Sequence, residues 1–203
     1  MITKFLLLLI TALLSASAFA VTLNNQPVEL SRIGFNAGSL TEFVGKVQTS
    51  SNGDTRTFEL NPTIGASFLF PLPSKFEVIP EINWVLPRKT GTDKVYKNLF
   101  MFRADGAYRL WDWFRLRVGT SIMLLNTHGS GGKVSRDNGN GQTTFYRPDS
   151  NSSSFNNTFD LGAEFLLGDW GFRAQTFTYS LFNAERRQHS YLLMATYYWD
   201  HKK

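Results

Sequence analysis

Hydrophobic residues recur at every second position along most of this chain, in runs separated by polar breaks. The clearest run puts Phe58, Leu60, Pro62, Ile64, Ala66, Phe68 and Phe70 on one face, with Thr57, Glu59, Asn61, Thr63, Gly65, Ser67 and Leu69 between them. A second sets Phe76, Val78, Pro80, Ile82, Trp84 and Leu86 against Lys75, Glu77, Ile79, Glu81, Asn83 and Val85. Three more begin at Phe100, Phe114 and Phe159 and keep the same alternation to Leu110, Leu124 and Leu167. A period of two belongs to strands with one apolar and one polar face. Three weaker runs complete the pattern. Ile33, Phe35 and Ala37 open one that blurs near Ser39 and Leu40, and Tyr191, Leu193, Ala195, Tyr197 and Trp199 form the last. In the third, Trp170, Phe172, Ala174 and Thr176 give way to Phe177, Tyr179 and Leu181, a change of phase that predicts a one-residue bulge.

Eight strands are predicted, and their links alternate. Residues 71–74, 111–112 and 168–169 are short enough for hairpin turns, while 46–56, 87–97, 126–157 and 183–188 are long. Short turns at one end and long loops at the other mark an up-and-down transmembrane barrel, with the short turns and both termini on the periplasmic side. The fold expected is all-β: a closed antiparallel eight-stranded transmembrane β-barrel.

The first twenty residues read differently. Lys4 precedes an apolar run over residues 5–14, and small residues follow to Ala18-Phe19-Ala20. This is the form of a cleaved secretory signal, leaving residues 21–203 as one barrel domain. An exported chain does not meet nucleic acid or cytoplasmic nucleotide pools. The absence of cysteine excludes disulfides, a thiolate metal site, a cysteine nucleophile and a lipid-modified N-terminal cysteine. Thirty aromatic rings exclude a disordered chain. A mean hydropathy of −0.19 argues against a helical membrane bundle but suits a barrel that alternates apolar with polar.

Which face points inward decides between a soluble, lipocalin-like carrier and a membrane barrel. The polar face carries Arg32, Glu42, Glu59, Glu77, Glu81, Arg103, Asp105, Arg109, Arg115, Arg117, Asp160, Glu164 and Arg173, with Lys75 at a strand end. Arginine paired with carboxylates suits a crowded interior, where its planar fork makes two bonds at once; a solvated surface would carry lysine. Rings bracket the apolar stripes at Phe58, Phe70, Phe76, Trp84, Trp170 and Trp199, as an interfacial girdle does. An eight-stranded interior is just wide enough to be filled by its side chains, so the charges are expected to form a plug; a narrow ion path is the alternative.

The pattern resembles the small eight-stranded outer-membrane barrels of the OmpA/OmpX type over about residues 28–199. Its most specific piece is the C-terminal strand, where Tyr197 and Trp199 resemble the aromatic-ended signal read by the outer-membrane assembly machinery. Here Asp200-His201-Lys202-Lys203 follows the aromatic, whereas the family usually ends on it. The resemblance implies the outer membrane of a Gram-negative bacterium, contact with its lipid and lipopolysaccharide, and a structural or interaction role without a cofactor.

The long links hold eleven Lys and Arg against five acids, and the whole chain totals +5, so positive charge gathers at the extracellular rim. Arg88, Lys89, Arg186 and Arg187 are the residues expected to touch lipid phosphates. Residues 126–157, rich in Gly, Ser and Asn, are expected to be flexible and to offer the natural place for a surface ligand. No run there matches an ordered cation-binding loop. His128 and Ser130, at the outer end of a strand, resemble the H-x-S of lipid A 3-O-deacylases, yet only Asp137 and Asp149 follow as acids in that loop. The expectation is a non-enzymatic protein, with a lipid A hydrolase as the narrow alternative.

Overall fold

The computed structural model describes residues 21–23, 26–48, 55–90, 95–137, 141–146, 149, 151–184 and 187–200. The proposed signal, residues 1–20, lies outside the described residues. A short hairpin, β1 (Val21–Leu23) and β2 (Gln26–Val28), leads into the long strands β3 (Arg32–Gln48), β4 (Thr55–Pro71), β5 (Phe76–Thr90), β6 (Val95–Trp111) and β7 (Phe114–His128). The link after β7 carries its own hairpin, β8 (Lys133–Asp137) with β9 (Gln142–Tyr146). The chain then runs through β10 (Asn151–Leu167), β11 (Trp170–Tyr179) and β12 (Gln188–Asp200).

The eight long strands close into an antiparallel barrel in the order β10-β11-β12-β3-β4-β5-β6-β7. Each strand therefore pairs with its neighbours along the chain, and β12 returns to β3, with Trp199 opposite Ile33. The expected architecture stands. Its short turns are at one end: Gly168 takes φ of 60° in the two-residue link to β11, where a residue without Cβ adopts a left-handed conformation freely. Both termini of the barrel lie at that same end.

The strands reach further than the apolar runs. β3 continues to Gln48 and β5 to Thr90, and Asn151–Asn157 pairs with Ile122–His128 inside the segment read as a loop over 126–157. In β5 and β10 the alternation fades because both faces become polar, and in β3 it is broken by the register shift between Phe43 and Val47, while the antiparallel ladder needs only backbone groups to continue. Arg88 and Lys89 accordingly lie on a strand, opposite Lys97 and Tyr96.

The bulge expected after Thr176 is absent. β11 pairs without interruption from Trp170 to Tyr179 on both sides. Phe177 is simply an inward residue, wholly buried, and its apolar character reflects a change in what the interior holds at that level. Leu40, where the first run blurs, is buried for the same reason. Register shifts occur elsewhere, between Phe43 and Val47, Val85 and Arg88, and Arg109 and Trp111.

Candidate functional site

The interior of the barrel is layered. Its middle is a network of five arginines and five carboxylates among the described residues: Arg103, Arg109, Arg115, Arg117 and Arg173 with Glu77, Glu81, Asp105, Asp160 and Glu164. The formal charge of that set is zero. Period two delivers these groups to one side of the wall, and closure of the sheet brings them together across the lumen.

Glu81 is the meeting point of three arginines. Arg103 donates Nη1 to its Oε2 at 2.9 Å, Arg117 donates Nη2 to its Oε1, and Arg173 holds both oxygens, with Nη2 at 3.0 Å from Oε2. Arg117 is the reciprocal hub. It also donates Nε to Asp105 at 2.9 Å and Nη1 to Glu164 at 2.8 Å. Arg115 donates to Glu164 at 3.0 Å and to Glu77 at 2.6 Å, and Arg109 reaches the other oxygen of Glu77 from the barrel end. Asp160 is held less tightly: Arg103 Nε stands 3.5 Å from its Oδ2, and neither atom completes a hydrogen bond. Thr158 and Ser121 donate to its other oxygen.

Room for these side chains comes from glycine on the inward positions. A Cβ on Gly171 would stand 2.2 Å from Glu164 Oε1 and 2.9 Å from Tyr198 Cε2. One on Gly119 would meet Asp105 Oδ1 and the Ala104 carbonyl, both at 2.4 Å.

Two apolar layers cover the network. Toward the long-link end, Leu40, Val85, Met101, Met123, Phe177, Leu192 and Met194 pack together, with Leu99 and Tyr179 against them. Toward the short-turn end lie Leu69, Ile79, Ala107 and Tyr198, with Leu166. The plug is thus charged in its centre and greasy at both faces.

Tyr198 is the member that the reading of the sequence passed over. Its hydroxyl donates to Glu164 at 2.6 Å and accepts from Arg115, whose guanidinium lies 5.1 Å from the ring centre. The signal was present: Tyr197 and Trp199 face out, so the residue between them faces in. Gln175, Asn36 and Asn83 were likewise unmarked, and Gln175 donates to Asp105 while Asn36 donates to Asn83.

Among the described residues, the outside of the barrel carries no charge over a broad band. Leu161 and Leu193 are each 59% exposed, and Phe35, Leu116, Val118 and Phe172 are exposed beside them. Rings gather at the short-turn end, where Trp111 stacks on Trp113 at 5.3 Å and Trp170 meets Tyr197 at 5.2 Å. Trp84 and Phe100 stack at the other edge, with Trp84 Nε1 donating to Asn98.

The remaining expected residues are scattered. Arg32 pairs with Asp200 at 2.7 Å, half-exposed at the terminal rim. Arg187 is exposed in the β11–β12 link and donates Nη2 to the Leu181 carbonyl at 2.8 Å. Arg186 and the side chains of Glu42, Glu59, Arg88 and Lys89 lie outside the described residues. His128 faces outward, its Nδ1 bonded to the Asn151 side-chain oxygen and its ring 6.4 Å from Tyr96, and Ser130 is exposed beyond it.

No protein-family model and no curated protein matches the chain. Among solved structures it is similar to the N-terminal β-barrel domain of Pseudomonas aeruginosa OprF, at 12% identity over 84% of this chain and 98% of that one, with a TM-score of 0.44. It is similar to Neisserial surface protein A at 10% identity over 83% and 96% of the two chains, TM-score 0.46. A third is Ail, the attachment invasion locus protein of Yersinia pestis, at 12% identity over 84% and 97%, TM-score 0.43.

Proposed function

We propose that this protein is a non-enzymatic integral barrel of a Gram-negative outer membrane, with a plugged interior and a structural or interaction role at the cell surface. One observation carries the reading: charged side chains turn inward and bind one another, while large apolar side chains stand exposed on the outside. In water that arrangement is inverted; in hydrocarbon it is the stable one, because a closed ladder satisfies every backbone group and the outer face costs nothing to leave apolar. The ring clusters at the two edges of the band support the same placement.

The basic links support contact with lipopolysaccharide. Arg88, Lys89, Arg186 and Arg187 belong to the long-link end, where phosphate groups of the outer leaflet would accept charge-assisted hydrogen bonds. With all four replaced by alanine, lipopolysaccharide retained through detergent purification should fall while the barrel still folds. Retention equal to that of the native protein would contradict the contact.

The non-enzymatic part is supported by the state of His128. The Asn151 oxygen on His128 Nδ1 could orient a base, but only Asp137 and Asp149 follow as acids in the loop after Ser130, and no hydrogen bond joins the His128 ring to Ser130 among the described residues. Ser130→Ala should leave the lipid A mass spectrum of the host unchanged; a gain of acyl chain would establish hydrolysis instead.

A further inference from the structure

Alternation continues on β6, β7 and β10 beyond the last apolar residues of the outer face. Leu99 and Met123 belong to the inner layer and Thr158 is bonded to Asp160, so Phe100, Leu124 and Phe155 face out in one row, with Trp84 beside Phe100. The Trp84–Phe100 stack marks the upper edge of the apolar band. Two further rows stand directly above it. Asn98, Asn126 and Ser153 form the first, and Tyr96, His128 and Asn151 the second, each set paired side by side across the three strands.

The chemistry changes abruptly at that edge. Phe100, Leu124 and Phe155 give way to carboxamides, a hydroxyl, a phenol and an imidazole, with no Lys, Arg, Asp or Glu among the six. A wall that met only water would ordinarily carry charges. These side chains are also held in place. Asn98 Oδ1 accepts from Trp84 Nε1 at 2.5 Å, Asn126 Oδ1 from Ser153 Oγ at 2.7 Å, and Asn151 Oδ1 from His128 Nδ1. Each carboxamide is thus fixed by its oxygen, and its nitrogen, with two N–H donors, is the pole that a ligand would meet. Side chains ordered beforehand lose little rotamer freedom on binding.

The patch is framed by rings. Tyr96, His128, Asn151 and Ser153 are exposed, Asn98 and Asn126 are half-buried between them, and the Trp84 and Phe100 rings lie below. The Tyr96 and His128 rings, 6.4 Å apart, lie above. Four strand residues separate Phe100 from Tyr96, about 13 Å along the wall. Lys89, one of the proposed phosphate contacts, is the register partner of Tyr96, so the patch adjoins that end of the barrel's lipid-facing chemistry.

We propose that this patch binds the sugar rings of an outer-leaflet glycolipid, whose hydroxyls accept from the amides of Asn98, Asn126 and Asn151 while a ring face lies against Tyr96 and His128. The occupant follows from the position. The patch begins where the apolar band ends, so the group that reaches it is the headgroup of a lipid packed against Leu124 and Phe155. Neutral, fixed donors and exposed rings suit a polyhydroxylated ring, whereas a phosphate calls for Lys or Arg and an acyl chain for an apolar wall. This inference deepens the lipopolysaccharide contact proposed above and rests on the membrane placement, and its test separates them.

The protein would be folded into phosphatidylcholine nanodiscs with isotope-labelled asparagine and leucine, and its side-chain amide resonances assigned by single substitution. The probe is the core oligosaccharide of lipopolysaccharide, freed of acyl chains and of phosphate. Magnetisation transfer from lipid acyl protons to Leu161 and Leu193 reports the membrane placement, and the Asn98, Asn126 and Asn151 amides report the patch. The three amides should shift saturably with the phosphate-free oligosaccharide. In Asn126→Ala with Asn151→Ala the Asn98 shift should be lost, with the lipid contacts of Leu161 and Leu193 unchanged as evidence of folding. Ser152→Ala with Ser154→Ala, on the opposite face of β10, should leave all three shifts intact. Lipid contacts without amide shifts would overturn the inference and leave the membrane placement standing. Shifts that require the phosphorylated oligosaccharide, or that inorganic phosphate reproduces, would overturn it in favour of an anion site. An Asn98 shift that survives Asn126→Ala with Asn151→Ala would overturn the location. No lipid contact at Leu161 and Leu193 would overturn the membrane placement and, with it, the glycolipid as occupant.

Discussion

Arg173 and Glu81 lie 92 residues apart in sequence and meet in the middle of the barrel. They sit on β11 and β5, strands four places apart in a ring of eight, hence on opposite walls. The guanidinium binds both carboxylate oxygens, so this pair crosses the lumen and closes it. A hydrated ion path along the axis would have to pass through that pair and through both apolar layers.

Removing one member of the pair leaves charges stranded. Glu81→Ala takes the shared acceptor from Arg103, Arg117 and Arg173. The loss should be about 3–5 kcal/mol, as for other broken buried ion pairs. Urea unfolding of the protein in lipid vesicles measures it, and an unchanged midpoint would refute the assignment. Asp160→Asn should cost less, because Asp160 is held by Arg103 only at 3.5 Å.

The same pairs should be nearly indifferent to salt. Arg103, Arg117, Glu81 and Asp105 have side chains with no exposed surface, and mobile ions screen such pairs far less than exposed ones. Raising ionic strength should leave the unfolding midpoint of the native barrel in place. A large drop would mean that stability comes from the exposed charges of the rim.

Tyr198 offers a comparison with its neighbours. Tyr198→Phe removes a hydroxyl shared by Arg115 and Glu164 and should destabilise by about 1.5–3 kcal/mol, the range for hydrogen bonds to charged groups. Tyr197→Phe, on the outer face, should change the midpoint by much less. Equal effects would show that the hydroxyl does not act in the network.

Space inside is as constrained as charge. Gly171→Ala puts a methyl where Glu164 Oε1 now stands and should cost about 1–3 kcal/mol by overpacking. Gly168→Ala, in the turn at φ of 60°, should cost about 1–2 kcal/mol for the left-handed backbone alone, with the interior unaltered. The two differ in a second readout: only Gly171→Ala should shift the near-ultraviolet dichroism of Tyr198.

Much of this was legible in the residues because a single period controls it. Alternation in β5, β6, β7, β10 and the start of β11 fixes which side chains face in, and Glu77, Glu81, Arg103, Asp105, Arg109, Arg115, Arg117, Asp160, Glu164 and Arg173 all lie on the inner face. The apolar residues of the interior were harder to see. Leu40, Phe177 and Leu192 carry no mark that distinguishes an inner layer from an outer stripe, so Phe177 reads as a slipped register when it is a change of layer. Strand ends were also hidden, since Asn151–Asn157 pairs through its backbone and has no apolar face to announce it. Partner choice within the network is the least legible feature: which arginine meets Glu81 depends on tilt and closure, and neither is written in local sequence.

The central claim is a closed barrel embedded in the outer membrane with its charges inside. Its most direct test is migration of the membrane-fraction protein on SDS gels with and without boiling. A faster band is expected without boiling, found in the outer-membrane fraction and absent from the soluble periplasm. One band at a single position in both lanes, recovered from the soluble periplasm, would contradict it.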